Sequence, residues 1–541
     1  MTRSGAREML KYIIRNVSII DGSGAPPFTG DVGIDGDKIV LLQAGAEAEA
    51  ACEIDGTGKY LCPGFIDAHT HGDFPLGQDW ASITKISQGI TSQVAGMCGM
   101  SIAPVREEYL SMLQASTGML LSDYPAEQKT FTNFEKYMDY ARTLKAAENT
   151  KFLVGHLNLR VCAMGYENRK PTKAELENMK AMLEEALQAG AGGMSSGLVY
   201  VPSAYGEIEE LAELCKIVAK YDGIYTTHMR NEAQYCLRSV EESIETARRS
   251  GVDLIISHHK FQGKSVWGES KKSLEMIEKA NAEGISVNCD QYPYLASQTQ
   301  LSVSAPPWYY DHGMSGMVEY LKDPVMRKKI EKEMNDPETD YDNFYLNSGG
   351  WDGVLISVSR NMKEIEGMTI GDFARKNGMD PFDVFCEVMI RNEGVATAIY
   401  FALCDEDLFR IICNDHVVVG TDGILRAAND KPHPRAFGSF PHAIRVFVKE
   451  NKLMPLEKMI WKMTGLTSKI TKIPNRGLIK DGYYADLLLF DYDKLTDKAD
   501  YLNPTALCEG FEAIFVNGEL TYKDQDLTEA RAGRLILADS L

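Results

Sequence analysis

A chain of 541 residues with 44% hydrophobic content can bury one large core and a smaller satellite domain. Its 46 glycines and 20 prolines are ordinary fractions, which excludes collagen-like, proline-rich and wholly disordered classes. A formal charge of -20 argues against a general nucleic-acid or anionic-membrane binder, while leaving room for a locally positive pocket.

The N-terminal segment carries no apolar signal region with a cleavage site, and no apolar run is long enough for a membrane helix. Eleven cysteines lie scattered between Cys52 and Cys508, without the dense framework of a small secreted protein. A reducing cytoplasm is the expected compartment, with most thiols acting as buried apolar groups.

In chain order, residues 12–22 read as a strand and turn, and Asp35-Gly36 between two apolar runs reads as a hairpin. Near the other end, residues 485–490 and 513–516 are again short apolar strands, the second closed by Asn517-Gly518. Short strands cannot bury a face alone, so both chain ends are expected to build one small β domain, from 1–62 together with 475–541. Two separate β appendages are the alternative.

Between them, 63–474 alternates helices with apolar strands, the pattern of a parallel α/β core. Thr172 and Glu175 form a capping-box pattern ahead of Leu176, Met179, Met182, Leu183 and Ala186 at helical spacing. Leu237, Val240, Ile244 and Ala247 repeat it, with Gly251 as the stop. Val252–Ile256 then reads as a buried strand, and a further helix and strand lead to Cys289-Asp290. Residues 303–350 break this rhythm and are expected to form an insertion, either a lid over the catalytic face or a peripheral excursion.

His69 and His71 are two apart in an extended run, so both side chains can reach one metal. A lone pair at that spacing arises easily by chance. Here, however, His228, His258 and Asp422 each follow a separate apolar strand. In a closed parallel barrel the carboxyl ends of strands converge on one face, where imidazole and carboxylate donors suit zinc. Cys98, in Gly96-Met97-Cys98-Gly99, follows the next core strand, and is either a packed thiol or a thiolate ligand.

These blocks, with Val154-Gly155-His156, the run Tyr225 to Glu232, Ile256 to Lys260, Asp290 to Tyr294, and Pro432 to Gly438, resemble the N-acyl-D-amino-acid deacylases (D-aminoacylases) of the amidohydrolase superfamily. The resemblance runs from Tyr12 to about Gly518. It implies a TIM-type metal-dependent hydrolase barrel with a small β-sandwich from both chain ends. By the same resemblance, Cys98, His228 and His258 are the tight zinc ligands, and His69 and His71 belong to a second, weaker metal position that Cys98 bridges. Met97 stands where many relatives carry asparagine, a change beside the thiolate. No lysine occupies the Ala191–Ser196 region, where other branches of the superfamily place a carboxylated bridging lysine.

The resemblance further implies zinc-dependent hydrolysis of an N-acyl-D-amino acid to a carboxylate and a free D-amino acid, with Asp422 as the proton-transferring carboxylate. Lys260, Tyr292 and Arg435 are the expected clamp for the substrate α-carboxylate. Ser297 and Thr299 are further substrate contacts, and His156 is either an acyl-oxygen contact or a supporting group. Gln298 and Gln300 add no positive charge, which favours a neutral D-side chain. The metal constellation by itself also admits cyclic-amide opening, deamination, or a non-enzymatic interaction protein on the same scaffold. The expected partner is a small-molecule N-acyl amino acid, with neither nucleic acid nor membrane.

Overall fold

The computed structural model describes residues 9–43, 45–110, 131–310, 313–425, 427–428 and 430–538. Eight parallel strands define the core: β1 (Phe65–Asp67), β2 (Ile90–Ala95), β3 (Asn149–Phe152, resuming as Val154–Gly155), β4 (Gly193–Gly197), β5 (Ile224–His228), β6 (Asp253–Ile256), β7 (Val287–Gln291) and β8 (Val417–Val419). Each pairs in parallel with the next. Beyond the strand ends, the Asp422 N–H donates to the His69 carbonyl at 2.8 Å and a parallel bridge joins Thr70 to Gly423. Those bonds close β8 onto β1, so the fold is a TIM-type barrel.

The connecting helices form for reasons legible in the chain. Lys173–Gln188 carries the full capping box, with Thr172 accepting from the Glu175 N–H and Glu175 accepting from the Thr172 N–H. Met179, Leu183, Ala186 and Leu187 form its buried stripe. Cys236–Ser250 stops at Gly251, which adopts the left-handed conformation at φ 73°.

A nine-stranded sheet joins the two chain ends. Tyr60–Pro63 pairs antiparallel with Leu487–Phe490, with Pro63 opposite Leu487. On one side lie Leu10–Ile19, Phe28–Asp35 and Lys38–Leu42, with Ala50–Asp55 paired in parallel to Leu10–Ile19, and on the other Phe511–Val516, Glu519–Lys523 and Asp526–Leu527. The turns fall where the sequence places them: Asp35 pairs with Lys38, and Val516 with Glu519. Asn517 and Gly518 are both left-handed, at φ 49° and 77°, as a two-residue hairpin turn requires. Buried Ile14, Ile34, Leu61, Leu489 and Phe515 fill one face.

The chain leaves the barrel rhythm over a longer stretch than 303–350. Ser297–Gln300, Val354–Val358 and Thr397–Tyr400 form a three-stranded antiparallel sheet between β7 and β8. Helices Pro324–Met334, Ile370–Asn377 and Pro381–Arg391 lie in the same excursion. Ser297–Gln300 is buried yet wholly polar, so it offers no apolar alternation to read from sequence.

Candidate metal centre

The carboxyl ends of the barrel strands bring together residues that are far apart in the chain. His69, His71, Cys98 and Asp422 form one buried group of potential ligands, and Cys98, His228 and His258 form another; within each group the donor atoms lie within 4.8 Å of one another. Cys98 is common to both, with its Sγ 3.3 Å from His69 Nε2 and 3.5 Å from His258 Nε2. Asp422 Oδ1 lies 3.5 Å from Nε2 of both His69 and His71.

Cys98, His258 and Asp422 all adopt left-handed backbone conformations, at φ 54°, 35° and 47°. Such angles disfavour residues other than glycine, and their concentration at one site signals a functional constraint. In the Cys98 turn, flanking Gly96 and Gly99 share the left-handed region at φ 81° and 78°.

Carboxylates orient the histidines from behind. Asp290 lies 3.1 Å from His69 Nδ1 and accepts the His258 N–H at 2.8 Å. Glu232 lies 3.0 Å from His258 Nδ1, accepts from Lys260 Nζ at 2.7 Å and from the Gln262 side chain at 3.0 Å. A proton held on Nδ1 by such a carboxylate leaves Nε2 free to bind a cation. Asp67 anchors the histidine pair itself: it accepts from the His69 and Thr421 N–H groups and from the Lys85 ammonium at 2.8 Å. Sequence reasoning assigned no role to Glu232, Asp290 or Asp67, although all three lie within or beside the quoted blocks.

The donor set fits a metal. Both His228 ring nitrogens are buried without a hydrogen-bond partner, and a buried orphan nitrogen is costly unless another ligand takes it up. Burial alone would push the Cys98 thiol up, but the charges of His69 and His258 hold it well below its ordinary value. Burial opposes ionisation of Asp422 too, and the Arg435 guanidinium and His69 override it. Burial disfavours the charged form of His71, yet its contacts with Asp422 and Cys98 raise it to about 9. Of the acidic groups Cys98, Asp422, Asp290 and Glu232, Glu232 is paired with Lys260 and Asp422 with Arg435. Histidine protons offset the excess negative charge in the metal-free protein, and a divalent cation would displace them.

A small cavity opens on this cluster, lined among others by Tyr200, Lys260, Ser297, Thr299, Phe344 and Asp422. Phe344 comes from the excursion, which therefore supplies part of the cavity wall. Tyr292 and Arg435 are fully buried behind that lining. Arg435 stacks 4.5 Å from the Tyr292 ring centre, and its Nη2 pairs with Asp422 Oδ2 at 2.8 Å. Lys260 is likewise engaged, donating to Glu232 at 2.7 Å and to the His258 carbonyl at 2.9 Å. His156 is not brought to this cavity: its ring nitrogens meet Ser203 Oγ at 2.6 Å and Glu210 Oε1 at 2.8 Å in a buried network with Arg160.

A parallel barrel closed over clustered histidine, thiolate and carboxylate donors defines a metal-dependent hydrolase of the amidohydrolase class. Residues 409–522 match the amidohydrolase family profile. The chain is 32% identical to the D-aminoacylase of Alcaligenes xylosoxydans xylosoxydans over 96% of each chain. It also resembles the crystal structure of N-acyl-D-glutamate deacylase from Bordetella bronchiseptica complexed with zinc and a phosphonate inhibitor, at TM-score 0.83 and 31% identity, covering 98% of this chain and 100% of that one. A D-aminoacylase structure concerned with its binuclear metal centre gives TM-score 0.82 and 32% identity over the same shares. The chain belongs to the D-aminoacylase family of the amidohydrolase superfamily.

Proposed function

We propose that this enzyme hydrolyses linear N-acyl-D-amino acids to a carboxylate and a free D-amino acid. The observation that carries this reading is the shared Cys98 thiolate, with a ligand group on either side and Asp422 alongside, at the base of one cavity. Full-length likeness to deacylases of this class supports the substrate handedness, which no residue pattern in the chain displays by itself.

Cys98, His228 and His258 would hold the tighter zinc, and His69, His71 and Asp422 together with Cys98 a second, weaker position. Zinc held by these residues would polarise the scissile carbonyl and lower the pKa of an attacking water. Asp422, kept ionised by Arg435, takes the proton as the water attacks. The same carboxyl then delivers a proton to the departing nitrogen, so the C–N bond breaks towards a neutral amine. Lys260, Ser297 and Thr299 line the cavity and bind the polar end of the substrate. Arg435 and Tyr292 act from behind, and contact with a substrate carboxylate would require Arg435 to share its guanidinium between that group and Asp422. Tyr200, Met100, Phe344 and Ile424 give the remaining wall an apolar character suited to a neutral side chain.

Eleven cysteines, none in a disulfide, support a reducing cytoplasmic setting. No helix among the described residues is long and apolar enough to cross a membrane.

The test is a panel of D- and L-N-acetyl amino acids and longer N-acyl derivatives, assayed with parallel zinc measurement. Turnover of D forms is expected; preference for L forms, or exclusive turnover of a cyclic amide, would sink the reading.

A further inference from the structure

Behind the histidine pair lies a second, small cavity with room for about one water molecule. Thr70, His71, Gly72, Ala81, Lys85, Gln93 and Glu148 are among its walls. His71 lines both this rear cavity and the substrate cavity. Glu148 lines both the rear cavity and a larger outer cleft of about 280 Å³, floored by Leu144, Thr150 and the C-terminal segment Gly533–Leu537. The three spaces are therefore neighbours, with the His71 side chain standing between the front and rear cavities and Glu148 between the rear cavity and the outer cleft.

The rear walls carry hydrogen-bonding atoms that the protein leaves unsatisfied. Gln93 Oε1, Glu148 Oε2 and His71 Nδ1 are all buried without a partner. Gln93 commits its amide nitrogen to Glu148 Oε1 at 3.3 Å and Thr150 Oγ1 at 3.1 Å, which fixes its oxygen inward. Gly72 leaves room for that oxygen, since a Cβ there would stand 2.4 Å from it. Lys85 cannot satisfy these atoms, because its ammonium donates to Asp67, Thr70 and Thr421.

Two acceptors and a ring nitrogen around a small polar space match the partners an ordered water needs. The wall is also of mixed charge: Lys85 disfavours a cation and Glu148 an anion, which leaves a neutral donor–acceptor as the fitting occupant. Amide hydrolysis consumes one water per turnover; its OH bonds to the acyl carbon, its proton goes to nitrogen, and the C–N bond breaks. An N-acyl amino acid seated in the front cavity obstructs solvent from that side. We propose that the rear cavity is a water site that supplies the metal centre from behind, filled through the Glu148 cleft while substrate occupies the front. The supply role rests on the hydrolytic reading above; the water site itself does not.

A high-resolution crystal structure of the zinc-loaded full chain tests the site directly. Ordered solvent bonded to Gln93 Oε1 and Glu148 Oε2 is expected, and a dry rear cavity overturns the proposal. Ala81→Leu, which fills the space from the helix Asp79–Ile86, tests the supply role. It should lower kcat roughly tenfold with KM and zinc content unchanged; full kcat in a variant whose leucine is seen to fill the cavity refutes the role. Gln93→Leu, which keeps the volume and removes the acceptor, gives the same readout if Ala81→Leu does not fold. Ordered solvent in a wild-type protein that hydrolyses no N-acyl amino acid would defeat the functional reading while upholding the water site.

Discussion

Arg435 Nη2 holds Asp422 Oδ2 at 2.8 Å, with the guanidinium wholly enclosed and lying over the Tyr292 ring. The bond fixes the orientation of the carboxylate and keeps it ionised against its burial. Removing the guanidinium therefore raises the folded-state pKa of Asp422. In Arg435→Ala the acidic limb of the kcat/KM–pH profile should move to higher pH. Arg435→Lys should restore part of the charge effect but not the paired directional bonding. An acidic limb that stays in place in Arg435→Ala would rule out this coupling.

Asp422→Asn should retain zinc at the Cys98, His228 and His258 group and lose turnover by roughly a thousandfold or more, the scale of a lost proton-transfer group. Metal analysis beside steady-state kinetics checks both halves. Near-normal activity would remove Asp422 from the chemistry.

Cys98 is common to both ligand groups, so Cys98→Ala should deplete both positions together. His71→Ala should spare the tighter ion. Zinc stoichiometry after dialysis separates the two variants, and equal loss in both would contradict the division into a tight and a weak position.

Glu232 supports His258 and Lys260 without belonging to either ligand group. Glu232→Gln should weaken zinc affinity by roughly 10–100-fold, the usual consequence of losing a carboxylate behind a ligating histidine. Competition with a chromogenic chelator gives the affinity. Because contacts with Asp422 and Cys98 raise His71 to about 9, affinity at the weaker position should rise with pH from neutrality towards that value.

Away from the metal, burial would raise the Glu210 carboxyl, but His156 and Arg160 lower it from 4.5 to about 2. A depressed carboxylate stabilises the fold above its unfolded pKa, and that contribution is lost as pH falls from about 4.5 through about 2. Its size is on the order of 3 kcal/mol. Chemical denaturation of Glu210→Gln against the wild type should show a stability deficit at pH 7 that shrinks towards pH 2–3.

How far the chain could be read in advance depended on whether a signal was local. His69 and His71 were legible because alternation persists beyond β1: the Thr70–Gly423 bridge keeps their backbone extended. The hairpin turns and the Thr172 cap were legible because side chain and backbone requirement coincide within four residues. Asp290 and Glu232 were not, since their service to His69 and His258 depends on which strands become neighbours. The Ser297–Gln300 strand was missed for the opposite reason: its burial is polar, so no hydrophobic rhythm announces it. His156 looked available because a glycine and a strand precede it, but Ser203 and Glu210, dozens of residues later, claim both its nitrogens.

The pairing of Tyr60–Pro63 with Leu487–Phe490 lies immediately ahead of β1 and its histidines. During synthesis, the segment leading into β1 must wait for its partner until most of the chain has left the ribosome. A C-terminal deletion reaching that partner would thus unmoor the entry to His69 from the opposite end of the polypeptide. Loss of metal after such a truncation would be an effect of assembly order, with every ligand still present.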